Sequence, residues 1–152
     1  MLFIYRLLIF NNEKKLFLGE RNNSNGIWQF PQGGVEAGFT LEENVVREAA
    51  EELGAEEQLF VIKAKLNLIN QYDFMQTPEV YKDIFRGQSQ TFWLVEYLGN
   101  DEDIQLDRHI PEFRSYKWMS VDEVVKNAEP LRLPAYLKAL GEASVIIDLK
   151  RF

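Results

Sequence analysis

Apolar residues recur along the chain with two periods, and the change from one to the other marks out the elements. Residues 2–10 are apolar throughout except at Arg6, which reads as a strand covered on both faces. Asn11 to Lys14 form a turn into a second strand from Lys15 to Gly19, and Arg21 to Gly26 form a polar loop. Ile27 to Phe30 is a short strand stopped by Pro31. From Leu41 the period becomes helical: Leu41, Val45, Ala49 and Leu53 make one core-facing stripe. Thr40 followed by Glu43 predicts a capping box at its start, and Gly54 a left-handed stop at its end.

Further along, residues 59–69 alternate from Ile62 onward, as a half-buried strand does. Residues 70–79 read as a loop around Pro78, Val80 to Phe85 as a strand, and Gly87 as a turn. Gln90 to Leu98 is an aromatic strand expected at the centre of the sheet, followed by an acidic turn at Gly99 to Asp103. After a loop over 107–113 come a strand from Arg114 to Met119 and a helix from the Ser120/Glu123 capping box to about Asn127. Pro130 to Pro134 lead into a last helix over 135–142. No repeat, low-complexity tract or linker interrupts the pattern. The expectation is one α/β domain over residues 1–152 with a mixed sheet.

Composition narrows the chemistry. The chain has 152 residues, no cysteine and a single histidine, His109. Thiolate sites, cysteine nucleophiles and multi-histidine zinc sites are therefore excluded, and a metal would need oxygen ligands. The opening apolar run is too short to span a bilayer and lacks a basic leader and a small-residue cleavage site. It reads as a strand of a cytoplasmic protein with no membrane partner.

Charge is concentrated in one place. The net charge is −7, and residues 40–57 hold seven acids against Arg47 alone. A protein tracking a long nucleic-acid backbone carries a basic face, so a DNA duplex is not the expected partner. A polyanion would have to be gripped at one end, with metal ions offsetting its charge. Glu48, Glu51 and Glu52 stand at i, i+3 and i+4 on one face of the predicted helix. Carboxylates so placed repel one another unless a cation lies among them.

Written out, Gly33-x5-Phe39-x7-Arg47-Glu48-Ala49-x-Glu51-Glu52-x-Gly54-Ala55 resembles the Nudix box, Gly-x5-Glu-x7-Arg-Glu-apolar-x-Glu-Glu-x-Gly-apolar. It departs at one position, where Phe39 replaces the first glutamate. The segment from Trp28 to Gly34, the stretch Gly87 to Gln90 and the run Pro111 to Phe113 are similar to the bacterial RNA pyrophosphohydrolases and the related dinucleoside polyphosphate hydrolases. That branch's extended lead-in with a basic residue is not found, and Arg6, inside the first strand, is not equated with it.

The resemblance implies an α/β/α sandwich with a mixed sheet, built to hydrolyse phosphoanhydrides of nucleoside diphosphate derivatives. It implies metal ligands at Glu48, Glu51, Glu52, Glu112 and the Gly33 carbonyl, for magnesium or alternatively manganese, with more than one ion per site. Glu52, Glu112 and Glu48 are the catalytic candidates, Glu112 as a further ligand or the general base. Arg21 and Arg132 are candidates for phosphate contact, Gln32 for a place near the phosphates and Tyr72 for stacking on a base. Arg47 is expected to support the carboxylates. Phe39 is expected to weaken that support without removing a ligand.

The expected reaction is removal of pyrophosphate from the 5′-triphosphate end of RNA. The alternatives are a dinucleoside polyphosphate hydrolase, a nucleoside triphosphate pyrophosphatase and a non-catalytic nucleotide sensor. The apolar first strand, short of its usual lead-in, also suggests pairing with a second copy in a homodimer.

Overall fold

The computed structural model describes residues 1–23, 25–82, 84–109 and 111–152. Ser24 of the expected polar loop, Asp83 of the expected strand and Ile110 of the 107–113 loop lie outside the described residues, as does the side chain of Val80. Seven strands form one mixed sheet: β1 Leu2–Phe10, β2 Leu16–Arg21, β3 Trp28–Gln29, β4 Gln32–Gly34, β5 Phe60–Asp73, β6 Gly87–Tyr97 and β7 Phe113–Met119. The helices are α1 Leu41–Leu53, α2 Val121–Asn127 and α3 Leu133–Ile146. The strand order is β3-β2-β1-β6-β5, with β4 also paired to β1 and β7 to β2.

The pattern of β1 explains the layering. Side chains alternate across a strand, so Tyr5, Leu7 and Ile9 pack with Val45, Ala49 and Leu53 of α1. Leu8 and Phe10 face the other way, into the cluster that holds Tyr136, Ala139, Leu140 and Ala143 of α3. One sheet is thus covered on both faces, the α/β/α sandwich that the resemblance implied. β1 runs parallel to β6 from Leu2 opposite Gln88 to Phe10 opposite Glu96, while its other edge is taken by β4 and β2. At Ile4–Arg6 and at Phe10 both edges of β1 are thus paired within the chain.

Several expected boundaries move. Residues 70–73 extend β5, because Asn70 to Asp73 pair with Gln90 to Gly87 of β6 despite their polarity. Gly87 accordingly opens β6 and makes no turn. The described residues of Val80 to Phe85 form no strand: a 3₁₀ turn spans Glu79–Tyr81, and the amides of Ile84 and Phe85 donate back to the Tyr81 carbonyl. The Tyr81 ring stacks on Phe74 and meets the Phe85 ring edge-on. Gly33 and Gly34 belong to β4, where Tyr5 and Ile4 supply pairing partners. Leu41, the first residue of α1, is exposed and outside the core stripe, and α3 outruns the expected 135–142 at both ends.

Candidate active site

Two caps determine where the α1 carboxylates lie. The Thr40 hydroxyl accepts from the Glu43 amide at 3.1 Å, and the Glu43 carboxylate accepts from the Thr40 amide at 2.9 Å. Gly54 closes the helix at φ 65°, a conformation glycine adopts without penalty. Between them Val45, Ala49 and Leu53 are fully buried against the sheet, so Glu48, Glu51 and Glu52 are carried together toward β4. These three, with Gly33, His109 and Glu112, line a cavity of about 660 Å³.

Electrostatics mark this as a place short of positive charge. Glu48 is pushed up to about 7, first by burial and then by Glu51, with Glu112 and Glu36 adding to it and Arg47 opposing. Glu52 is pushed up to about 9 by burial, then by Glu112, Glu48 and Glu51. Each group resists ionisation because burial removes its hydration and the neighbouring carboxylates are like-charged. The Glu48 carboxylate also occupies the space that a β-carbon at residue 33 would need, so any larger residue there would push it aside.

Among the described residues, no three acidic or imidazole groups are already gathered closely enough to hold an ion together. The glutamates surround the cavity without converging on a point, and their rotatable bonds leave them free to close that gap. A donor set dominated by carboxylate oxygens, with raised carboxyl pKa values and no thiolate, fits a hard divalent cation.

The remaining sequence-predicted residues fall into two groups. Arg21 and Gln32 line a cavity of about 380 Å³ that shares Glu112 with the carboxylate cavity. Gln32 borders both cavities. Tyr72 and Arg132 line a third cavity of about 520 Å³ with Phe74 and Tyr136. There the Tyr72 hydroxyl and Gln88 are 2.6 Å apart, and Arg132 donates to Glu129 at 2.9 Å. Arg47 donates to Glu51 at 2.9 Å and also pairs with Glu36. The Phe39 ring lies over its guanidinium, 4.7 Å from centroid to carbon.

The sequence profile of the NUDIX domain matches residues 5–139. The chain belongs to the NUDIX domain family. Among its relatives, the RNA pyrophosphohydrolase of Wolbachia pipientis subsp. Culex pipiens (strain wPip) is 34% identical over 142 residues, covering 93% of this chain and 88% of that one. The RNA pyrophosphohydrolase of Orientia tsutsugamushi (strain Boryong) is 30% identical over 146 residues, with the same coverage. A crystal structure of a C. elegans Ap4A hydrolase shares the fold, with a TM-score of 0.68 at 19% identity over 95% of this chain and 98% of that one.

Members of the NUDIX family generally use divalent metal ions, which agrees with the donor set described above. Among the described residues, no helix is long and apolar enough to cross a membrane. Three residues escaped the sequence reading. His109, weighed only against zinc, lines the carboxylate cavity, and its place just before Glu112 was the available signal. Glu36 pairs with Arg47 from outside the fixed box positions. Arg6, the lone charge in an apolar strand, is fully buried. Its Nη1 donates to the Gln29 side chain at 3.0 Å and to the Phe30 carbonyl at 2.8 Å.

Proposed function

We propose that this chain removes pyrophosphate from the 5′-triphosphate end of RNA and leaves a 5′-monophosphate. The observation that carries the reading is the ring of Glu48, Glu51, Glu52 and Glu112 around one cavity, in a chain whose relatives named RNA pyrophosphohydrolase match 93% of its length. Family membership already makes it a hydrolase of pyrophosphate bonds.

A phosphoanhydride resists attack because the incoming water meets negative oxygens. Divalent cations, magnesium in first place with manganese as the alternative and more than one per site, offset that charge and acidify bound water when present. Glu48, Glu51, Glu52, Glu112 and the Gly33 carbonyl would hold them. In this reading Glu52 or Glu112 accepts the proton of the attacking water, and the released pyrophosphate leaves with the displaced oxygen. Arg21 and Gln32 border the same cavity system and contact the phosphates. Tyr72 offers an aromatic face to a base, and Arg132 a cation beside it. The net charge of −7 suits capture of a short polyphosphate end better than a long strand. The proposal includes a cytoplasmic location, where such ends arise.

The test is to incubate the protein with magnesium and, separately, triphosphorylated RNA, diadenosine polyphosphate and GTP, and then to identify the products. Pyrophosphate and 5′-monophosphate RNA are expected. Turnover confined to the dinucleotide or to GTP would replace this reading with one of its alternatives. Tight nucleotide binding without any turnover would point to a sensor.

A further inference from the structure

Position 39 is where this chain departs from the NUDIX box, yet Arg47 is held on three sides. Its Nη1 donates to Glu51 Oε1 at 2.9 Å, its Nη2 pairs with Glu36, and the Phe39 ring covers its face at 4.7 Å. Glu36 is itself fixed. The fully buried Asn44 accepts from the Glu36 amide at 3.2 Å and donates to the Glu36 and Thr40 carbonyls, each at 3.1 Å. Gly38, at φ 91°, turns the intervening chain. Residues 36–40 therefore form a strap, bound at both ends to the start of α1, that lays a carboxylate on Arg47.

We propose that Glu36 is the positioning residue that replaces a carboxylate at position 39. It holds Arg47, and Arg47 in turn holds Glu51 toward the cation cavity. Phe39 completes the arrangement by covering the guanidinium and keeping its plane. The Glu36 side chain is 57% exposed, and ion pairs so exposed add little to folding stability. Its contribution is therefore geometric, and it falls on metal affinity and turnover.

The inference rests on the cavity being a cation site, but not on RNA being the substrate. It is tested by titrating Mn²⁺ against the metal-free protein, with free Mn²⁺ read by electron paramagnetic resonance, alongside the melting temperature without metal. Glu36→Gln is expected to weaken Mn²⁺ binding about 10-fold, as loss of an outer partner of a ligand does. Its melting temperature should stay within about 2 °C of the parent. kcat should fall while KM changes little. Arg47 Nε is buried with no hydrogen-bond partner among the described residues, so a carboxylate at position 39 has a donor to take. The double variant Glu36→Gln with Phe39→Glu should therefore recover Mn²⁺ affinity to within about threefold of the parent. Unchanged Mn²⁺ affinity in Glu36→Gln, or a double variant that binds no more tightly than the single one, would overturn the proposal. Absence of Mn²⁺ binding by the unsubstituted protein would sink the cation reading of the cavity, and this proposal with it.

Discussion

The Glu48 carboxylate packs so closely against the α-carbon of Gly33 that no β-carbon fits between them. The obstacle is the far end of a flexible side chain, so an alanine there displaces the carboxylate and leaves the backbone in place. Gly33→Ala is therefore expected to lower kcat by about 10–100-fold, the range for a misplaced ligand. Its melting temperature should lie within about 3 °C of the parent. A full-rate Gly33→Ala enzyme in steady-state kinetics would show that Glu48 works from another position.

Glu52→Gln keeps shape and hydrogen bonding but removes the charge that the cavity concentrates. Hydrolysis is expected to drop by on the order of 10³-fold, with an unchanged circular dichroism spectrum. Glu112→Gln is expected to lose less, because Glu112 is exposed and reaches the cavity from a loop. Retained activity in Glu52→Gln would refute its assigned role.

Burial and neighbouring carboxylates raise Glu48 from 4.5 to about 7 and Glu52 from 4.5 to about 9. As pH rises past 4.5 the unfolded chain sheds protons that the folded chain keeps. The stability these two groups contribute is complete below 4.5 and lost as pH rises through the raised values. In the presence of a chelator, Glu52→Gln should melt close to the parent at pH 5 and progressively above it toward pH 9. A constant difference across that range in thermal melts would contradict the raised value.

Metal binding needs the same carboxylates ionised, so it must expel protons at neutral pH. Mg²⁺ affinity is expected to weaken from pH 8 to pH 6. Calorimetry in buffers of different ionisation enthalpy should register net proton release, and buffer-independent heats at pH 7 would count against it.

Arg6 presents a competition of magnitudes. Its Nε and Nη2 are buried without partners, while Nη1 satisfies the Phe30 carbonyl. Arg6→Ala opens a cavity and orphans that carbonyl, for an expected loss of about 3–5 kcal/mol. Arg6→Met fills the space and removes an unpaired buried charge, which offsets part of the lost hydrogen bonding. It is expected to lose less than half as much, read from urea midpoints. Equal losses in the two variants would mean that the charge, and not the volume, is what the core requires.

Local chemistry was legible wherever it is local in origin. Both capping boxes, the Gly54 stop and the carboxylate stripe of α1 follow from spacing within a few residues, and each stands where the spacing put it. Boundaries failed where partners are distant. Residues 70–73 look like a loop until β6 pairs with them, and Val80 to Phe85 look like a strand until Tyr81 stacks on Phe74 and Phe85 packs on Tyr81.

The sequence by itself determined the layered α/β fold, the exclusion of thiolate and multi-histidine sites, and the family. Periodicity, composition and motif spacing are properties of the chain and survive without coordinates. Only the tertiary structure decided that His109 lines the cavity of the α1 carboxylates, that Arg6 is sealed beneath Tyr136, and that Glu36 takes hold of Arg47. These are contacts between segments that chain folding brings together. No local rule encodes which loop carboxylate will reach a given arginine. The helix that carries the chemistry could be read in advance, but the partners that aim it could not.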